Sequence, residues 1–162
     1  MQDYVLEIVV VAMLVLAWLY WRWSRRPPPS YVRADFLTAT EREFYAVLIE
    51  AVEERELQLI SKVRLADLVV PNPELAPDDR LRAFNRVRSK HVDFVVCRDM
   101  EPLLVIELDD PSHQRPDRIE RDEFVDDALE QCNLPILHIP TAKSYDAKTL
   151  GKQIAAHSDG DR

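Results

Sequence analysis

The chain has 162 residues, 47% of them apolar and 31% charged, with a formal net charge of −8; this leaves room for one hydrophobic anchor and one domain, and too little for a second core. Asp3 and Glu7 against Arg22, Arg25 and Arg26 give residues 1–30 a net +1, which leaves −9 for the remainder, an acidic balance that excludes indiscriminate binding to phosphate backbones. The only glycines are Gly151 and Gly160 and the only cysteines Cys97 and Cys132, which excludes a P-loop, a GxGxxG turn and a CxxC zinc site and leaves two reduced cysteines of a cytosolic core.

Residues Tyr4 to Trp21 read YVLEIVVVAMLVLAWLYW, with Glu7 as the single charge. That stretch approaches the roughly 20 apolar residues a spanning helix needs. Trp18, Tyr20, Trp21 and Trp23 cluster where an aromatic belt would meet headgroups, and Arg22, Arg25 and Arg26 follow. By the positive-inside rule the arginines put the C-terminal side in the cytoplasm and the N-terminus outside, as in a single-pass protein of the inner, cytoplasmic membrane. A cleaved signal peptide would need a basic start and small residues at its end, and neither is present. Pro27, Pro28 and Pro29 then form a stiff spacer. The chain is therefore divided into an anchor and basic flank (1–26), a proline-rich linker (27–35), an α/β domain (36–157) and a polar tail (158–162).

Within the domain, Thr38 and Glu41 have the spacing of a capping box, and Phe44, Leu48 and Val52 give a helical stripe to about Glu54. Leu57 to Val63 reads as a strand, and Arg64 to Val70 has no clear period. After Pro71, Pro73 and Pro77, Asp78 or Asp79 can cap a helix whose Leu81, Phe84 and Val87 share an inward face. Arg82, Arg86, Arg88 and Lys90, with Arg80, make this the basic cluster of the domain. It is either a solvated face or a set of phosphate contacts for nucleic acid.

His91 to Cys97 and Leu103 to Asp109, separated by Arg98 to Pro102, form a predicted hairpin. A helix from Asp117 to Cys132 carries Ile119, Val125, Ala128, Leu129 and Cys132 inward, and Asn133 supplies a left-handed cap. Leu134 to Ile139 is the last strand, and Ser144 to about His157 a final helix with Leu150 and Ile154 inward. The order is α-β-(α)-β-β-α-β.

Asp93, Glu107 and Asp109 interrupt otherwise apolar strands. Residues two apart share a strand face, so Glu107 and Asp109 point the same way, and an aligned hairpin lets Asp93 join them. Converging carboxylates are costly to bury without a cation, and hard oxygen ligands suit Mg²⁺, with Mn²⁺ as a substitute. The plainer reading has these acids solvated at strand ends or paired with Arg64 or Lys90. His113, four residues beyond Asp109, is a candidate acid, base or ligand.

The run Lys90-His-Val-Asp-Phe-Val-Val, the run Val-Ile-Glu-Leu-Asp-Asp-Pro-Ser-His113, Arg121-Asp122, the upstream Thr38-x-x-Glu41 and the downstream Leu134-Pro-Ile-Leu-His-Ile139 together resemble the bacterial domain-of-unknown-function family 2726. That family is placed in the PD-(D/E)XK, restriction-endonuclease-like superfamily, near the very-short-patch-repair type. The resemblance covers roughly residues 36–145. It implies an αβββαβ core with a mixed sheet flanked by helices, here preceded by one transmembrane helix.

In that pattern Asp93 is the first metal-binding acid and Glu107 the second, and the third position, a lysine in the superfamily, is Asp109. Very-short-patch-repair relatives also lack the lysine and use an acidic strand followed by a histidine, so the resemblance gives Asp109 and His113 those parts. Lys90 has the wrong strand parity relative to Asp93 to replace the lysine. Asp122 stands where it can orient a site residue or pair with Arg118.

The resulting expectation is a membrane-anchored, Mg²⁺-dependent nuclease acting on DNA in preference to RNA. The alternative is a catalytically silent domain that binds a protein partner at the membrane. Fold analogy by itself does not decide between them.

Overall fold

The computed structural model describes residues 2–25, 27–109 and 116–158, omitting the side chains of 2, 3, 116–122 and 158. It divides into two units, residues 1–36 and 37–162.

The first unit contains helix α1 (Gln2–Ser24). Its segment Tyr4–Ser24 has 21 residues with a mean hydropathy of 2.1, and its apolar side chains are exposed all round. By length and composition this helix can cross a membrane. At its C-terminal end the Arg25 guanidinium lies 4.3 Å from the centre of the Trp21 ring, and Arg22 lies 5.7 Å from that of Trp18.

The second unit begins at the capping box. Thr38 Oγ1 accepts a hydrogen bond from the Glu41 amide, and Glu41 returns a carboxylate oxygen to the Thr38 amide, which starts α2 (Ala39–Glu53). Strand β1 (Gln58–Arg64) leads into the short α3 (Leu65–Leu68), so the stretch without a clear period turns out to be one helical turn. Helix α4 (Pro77–Val87) starts with proline in its first turn and no side-chain cap. Asp78 and Asp79 therefore act from inside that turn, favoured by the helix dipole, and do not cap it as expected.

Strands β2 (His91–Arg98) and β3 (Glu101–Asp109) form the expected hairpin. Asp99 and Met100, with φ of 51° and 68°, make the turn; two left-handed residues match the twist of the flanking strands. Helix α5 (Pro116–Glu130) ends as predicted at Asn133, with φ of 54°. There the Leu134 and Asn133 amides donate to the carbonyls of Leu129 and Glu130. Strand β4 (Ile136–Pro140) and helix α6 (Ala147–Ser158) complete the chain.

The sheet order is β1-β2-β3-β4, with the first three strands antiparallel and β4 parallel to β3. A parallel pair needs a long crossover, and the segment containing α5 provides it. One face is covered by α2 and α6, where Phe44, Leu48 and Val52 meet Phe94, Val96, Leu104, Ile106, Leu150 and Ile154. The other face packs Leu65, Val69 and Val87 with Val92, Val95, Val105, Val125 and Leu129. The domain is thus a mixed α/β sheet between two helical layers.

Two inward assignments are corrected. Cys132 is exposed, because the helix has already ended there. On α4 only Val87 is buried, while Leu81 and Phe84 are 59% and 41% exposed. The helix meets the domain through Val87 and through Arg86, whose guanidinium lies 4.0 Å from the centre of the Phe124 ring on α5, so only the Val87 end of the predicted apolar stripe faces the core.

Candidate functional site

Lys62 lies within β1 at a φ of 56°, a left-handed conformation that costs a side chain-bearing residue about 1–2 kcal/mol. It stands opposite Asp93, between the registered pairs Ser61↔Phe94 and Val63↔Val92. The strand alternation slips at this point. Phe94 and Val96 belong to one core cluster, whereas Val92 and Val95, three apart, both belong to the other. Such a local twist re-aims a side chain, and here it sends the Lys62 ammonium between two carboxylates. Nζ lies 2.5 Å from Glu41 Oε1 and 2.8 Å from Asp93 Oδ1.

The three side chains are mostly shielded, with 28% exposure for Lys62, 14% for Glu41 and 19% for Asp93. Burial alone pulls the lysine pKa down, but hydrogen bonds and charge from Asp93 and Glu41 outweigh it and raise it above its ordinary value. The ammonium is therefore fixed in its charged form. Glu41 serves two purposes, since its other oxygen is 2.8 Å from the Thr38 amide it caps. Asp93 also reaches β3, accepting a hydrogen bond from the Leu108 amide at 3.2 Å through Oδ2.

One step beyond the last registered pair of the hairpin, Phe94↔Ile106, brings Asp93 alongside Glu107. Glu107 is half-buried and is registered with His138 of β4 on its other side. Asp109 belongs to a separate cluster. Its carboxylate is 3.1 Å from His138 Nδ1, and Asp126 of α5 is 3.2 Å from Nε2. Burial lowers the His138 pKa, but Asp109 first and Asp126 second overcome this, so the pKa lies above its ordinary value.

Of the carboxylates expected to converge, Asp93 is held with Lys62 and Glu41 and Asp109 with His138 and Asp126, while Glu107 stands between Asp93 and His138 in the strand register. Among the described residues no group of three or more His, Cys, Asp or Glu side chains is gathered as a metal site. Magnesium in phosphate-processing sites commonly takes only one or two carboxylates, the rest being water and substrate oxygens. Asp93 and Glu107, hard oxygen donors on adjoining strands, fit that smaller share.

His113 lies outside the described residues, and so does the side chain of Asp122, which is on α5. Of the basic cluster, Arg82 is paired with Asp79 at 2.5 Å, and Lys90, like Arg86, lies over the Phe124 ring, at 5.3 Å. Arg88 is exposed. The plainer expectation for the acids is corrected in its partners: Asp93 pairs with Lys62, while Arg64 is bound to Asp67 at 2.6 Å and Lys90 contacts the ring.

Sequence reasoning passed over Lys62, His138 and Asp126 as site residues, and it gave Glu41 no role beyond the cap. Lys62 and His138 each interrupt a predicted apolar strand, the same signal that singled out the acids. A groove of about 500 Å³ lined by Asp126, Glu130, Asn133, Leu134, Pro135 and Ile136 adjoins the histidine cluster and does not include Asp93 or Glu107.

The His138 cluster predicts a pH dependence. A pKa raised by folding contributes stability that is complete below the unfolded value and lost as pH rises through the folded one. The thermal midpoint of wild type relative to His138→Asn should therefore be highest in mildly acidic buffer and should fall as pH rises from about 6.5. A difference that grows with pH would contradict the pairing.

No curated protein and no solved structure matches the chain. The model of a family described as "Protein of unknown function (DUF2726)" matches residues 33–157, a span that takes in both clusters and every element from α2 to β4. On the strength of that match, the chain belongs to the DUF2726 family.

Proposed function

We propose that this protein is a metal-dependent phosphodiester hydrolase of the restriction-endonuclease-like kind, near the very-short-patch-repair type. In this reading α1 anchors it in the cytoplasmic membrane, its N-terminus lies outside, and the domain acts on DNA in the cytoplasm. The observation that carries the reading is the Lys62 ammonium held on Asp93, beside the strand that carries Glu107. The general superfamily pattern joins two acids to a lysine. The lysine missing from the third motif position is supplied from β1.

Asp93 and Glu107 would hold Mg²⁺ or Mn²⁺, which when bound neutralises phosphate charge and acidifies water. Lys62, kept charged by its surroundings, places a fixed positive group where a phosphate oxygen or the attacking water can be oriented. Glu41 positions the lysine from the start of α2. Asp109 is oriented by His138 and, with His113, is the group assigned to proton transfer.

The full chain in detergent micelles, given supercoiled plasmid and Mg²⁺ or Mn²⁺, should nick or linearise it, and Asp93→Ala and Glu107→Ala should abolish the reaction. Cutting that survives Glu107→Ala would overturn the assignment.

One observation favours a second reading, a silent domain that binds a protein at the membrane. The Lys62 ammonium already compensates both Glu41 and Asp93. This reading predicts no cleavage and a thermal midpoint that does not respond to Mg²⁺.

A further inference from the structure

We propose that the outward side of α4 is a docking surface for anionic phospholipid. Arg80, Phe84 and Arg88 follow at four-residue intervals, and Leu81 precedes Phe84 by three, so the four share one side of the helix. Val87, which is buried, borders that side one turn beyond Phe84, and Arg86, which lies over Phe124, falls on the opposite side; these two residues hold the helix to the domain. Leu81 and Phe84 are nonetheless exposed on a folded, packed helix, and the segment before it leaves Val70 and Leu75 exposed as well.

The guanidinium groups bracketing them are available. Arg82 is bound to Asp79, and Arg86 and Lys90 are taken up by the Phe124 ring, whereas the guanidinium groups of Arg80 and Arg88 have no hydrogen-bond or ion-pair partner among the described residues. Two large apolar side chains framed by free arginines are what a helix lying in the headgroup region presents to a bilayer.

Duplex DNA would satisfy the arginines equally well, but its phosphate backbone offers nothing to Leu81 and Phe84. A lipid surface takes both. The acidic remainder of the domain is repelled by anionic headgroups, which turns α4, and not another face, toward them. The inference rests on the reading of α1 as an anchor for one element only, the local lipid concentration. The linker of residues 27–36 spans at most about 35 Å, so an anchored domain meets lipid at a high local concentration, which makes a weak surface contact effective.

The test uses the full chain with Cys132→Ser and Leu81→Cys, Cys97 being buried, labelled with bimane at position 81. The chain is reconstituted in vesicles of phosphatidylcholine, alone or mixed with phosphatidylglycerol. With brominated acyl chains, the probe should be quenched in the mixed vesicles and much less in phosphatidylcholine alone. Arg80→Ala and Arg88→Ala should each lower the docked-to-free ratio about five-fold.

A chain that floats with the mixed vesicles without quenching, or is quenched equally in both lipids, overturns the docking and leaves the anchor standing. Failure to float with vesicles of either composition overturns both. A probe shielded by a DNA duplex and not by lipid reassigns the surface to nucleic acid and overturns the proposal.

Discussion

Replacing Lys62 with methionine is expected to cost the domain about 2–3 kcal/mol and, in the nuclease reading, to abolish cleavage. The reason is what remains. Glu41 and Asp93, 14% and 19% exposed, would face each other with no cation between them. Removing one partner of a fully buried ion pair costs about 3–5 kcal/mol; partial exposure and the surviving hydrogen bonds from the Thr38 and Leu108 amides reduce that figure.

Millimolar Mg²⁺ should also recover part of the lost stability in Lys62→Met by replacing the missing positive charge. Urea unfolding of wild type and variant, with and without Mg²⁺, reads both the loss and its recovery. A variant as stable as wild type at neutral pH would show that the ammonium holds nothing together.

The second large effect is in the core that carries the site. Phe44→Ala should cost about 3–5 kcal/mol, the usual toll for truncating a buried aromatic ring, out of a total of about 5–15 kcal/mol for a domain of this kind. Phe44 is fully buried, with its ring edge-on to Phe94 at 5.6 Å and to Tyr145 at 4.8 Å between centroids. It thereby ties α2 to the sheet and to the loop before α6. Glu41 lies on the same helix one turn earlier, so a loosened α2 also loosens the Glu41–Lys62 contact. Phe44→Leu should cost less than half as much because most of the cavity stays filled. A Phe44→Ala midpoint in urea indistinguishable from wild type would place the stabilising core elsewhere.

Local patterns in the chain decided a good part of this structure. The Thr38–Glu41 capping box, the Asn133 cap and the inward Leu150 and Ile154 were legible because each depends on neighbours within one or two helical turns. The hairpin of β2 and β3 was legible because two apolar runs flank a short polar gap. The apolar character of α1 is also a property of a continuous segment.

The site itself was decided by tertiary structure. Asp93 was recognisable as an acid out of place in a strand, but its partner Lys62 is 31 residues away and reaches it through a left-handed backbone step that no residue type announces. Glu41 declared itself as a cap; its second oxygen acquired a role only when β1 was laid across the start of α2. Asp109 was read with the other acids because it shares a strand face with Glu107, and β4 instead brought His138 up to it from the opposite side. On α4 the stripe of Leu81, Phe84 and Val87 was visible, but which part faces inward was set by the Phe124 ring. Spacing along a chain fixes which side chains share a face, whereas the cation that compensates a carboxylate is chosen by strand pairing and layer packing, contacts between residues far apart in sequence.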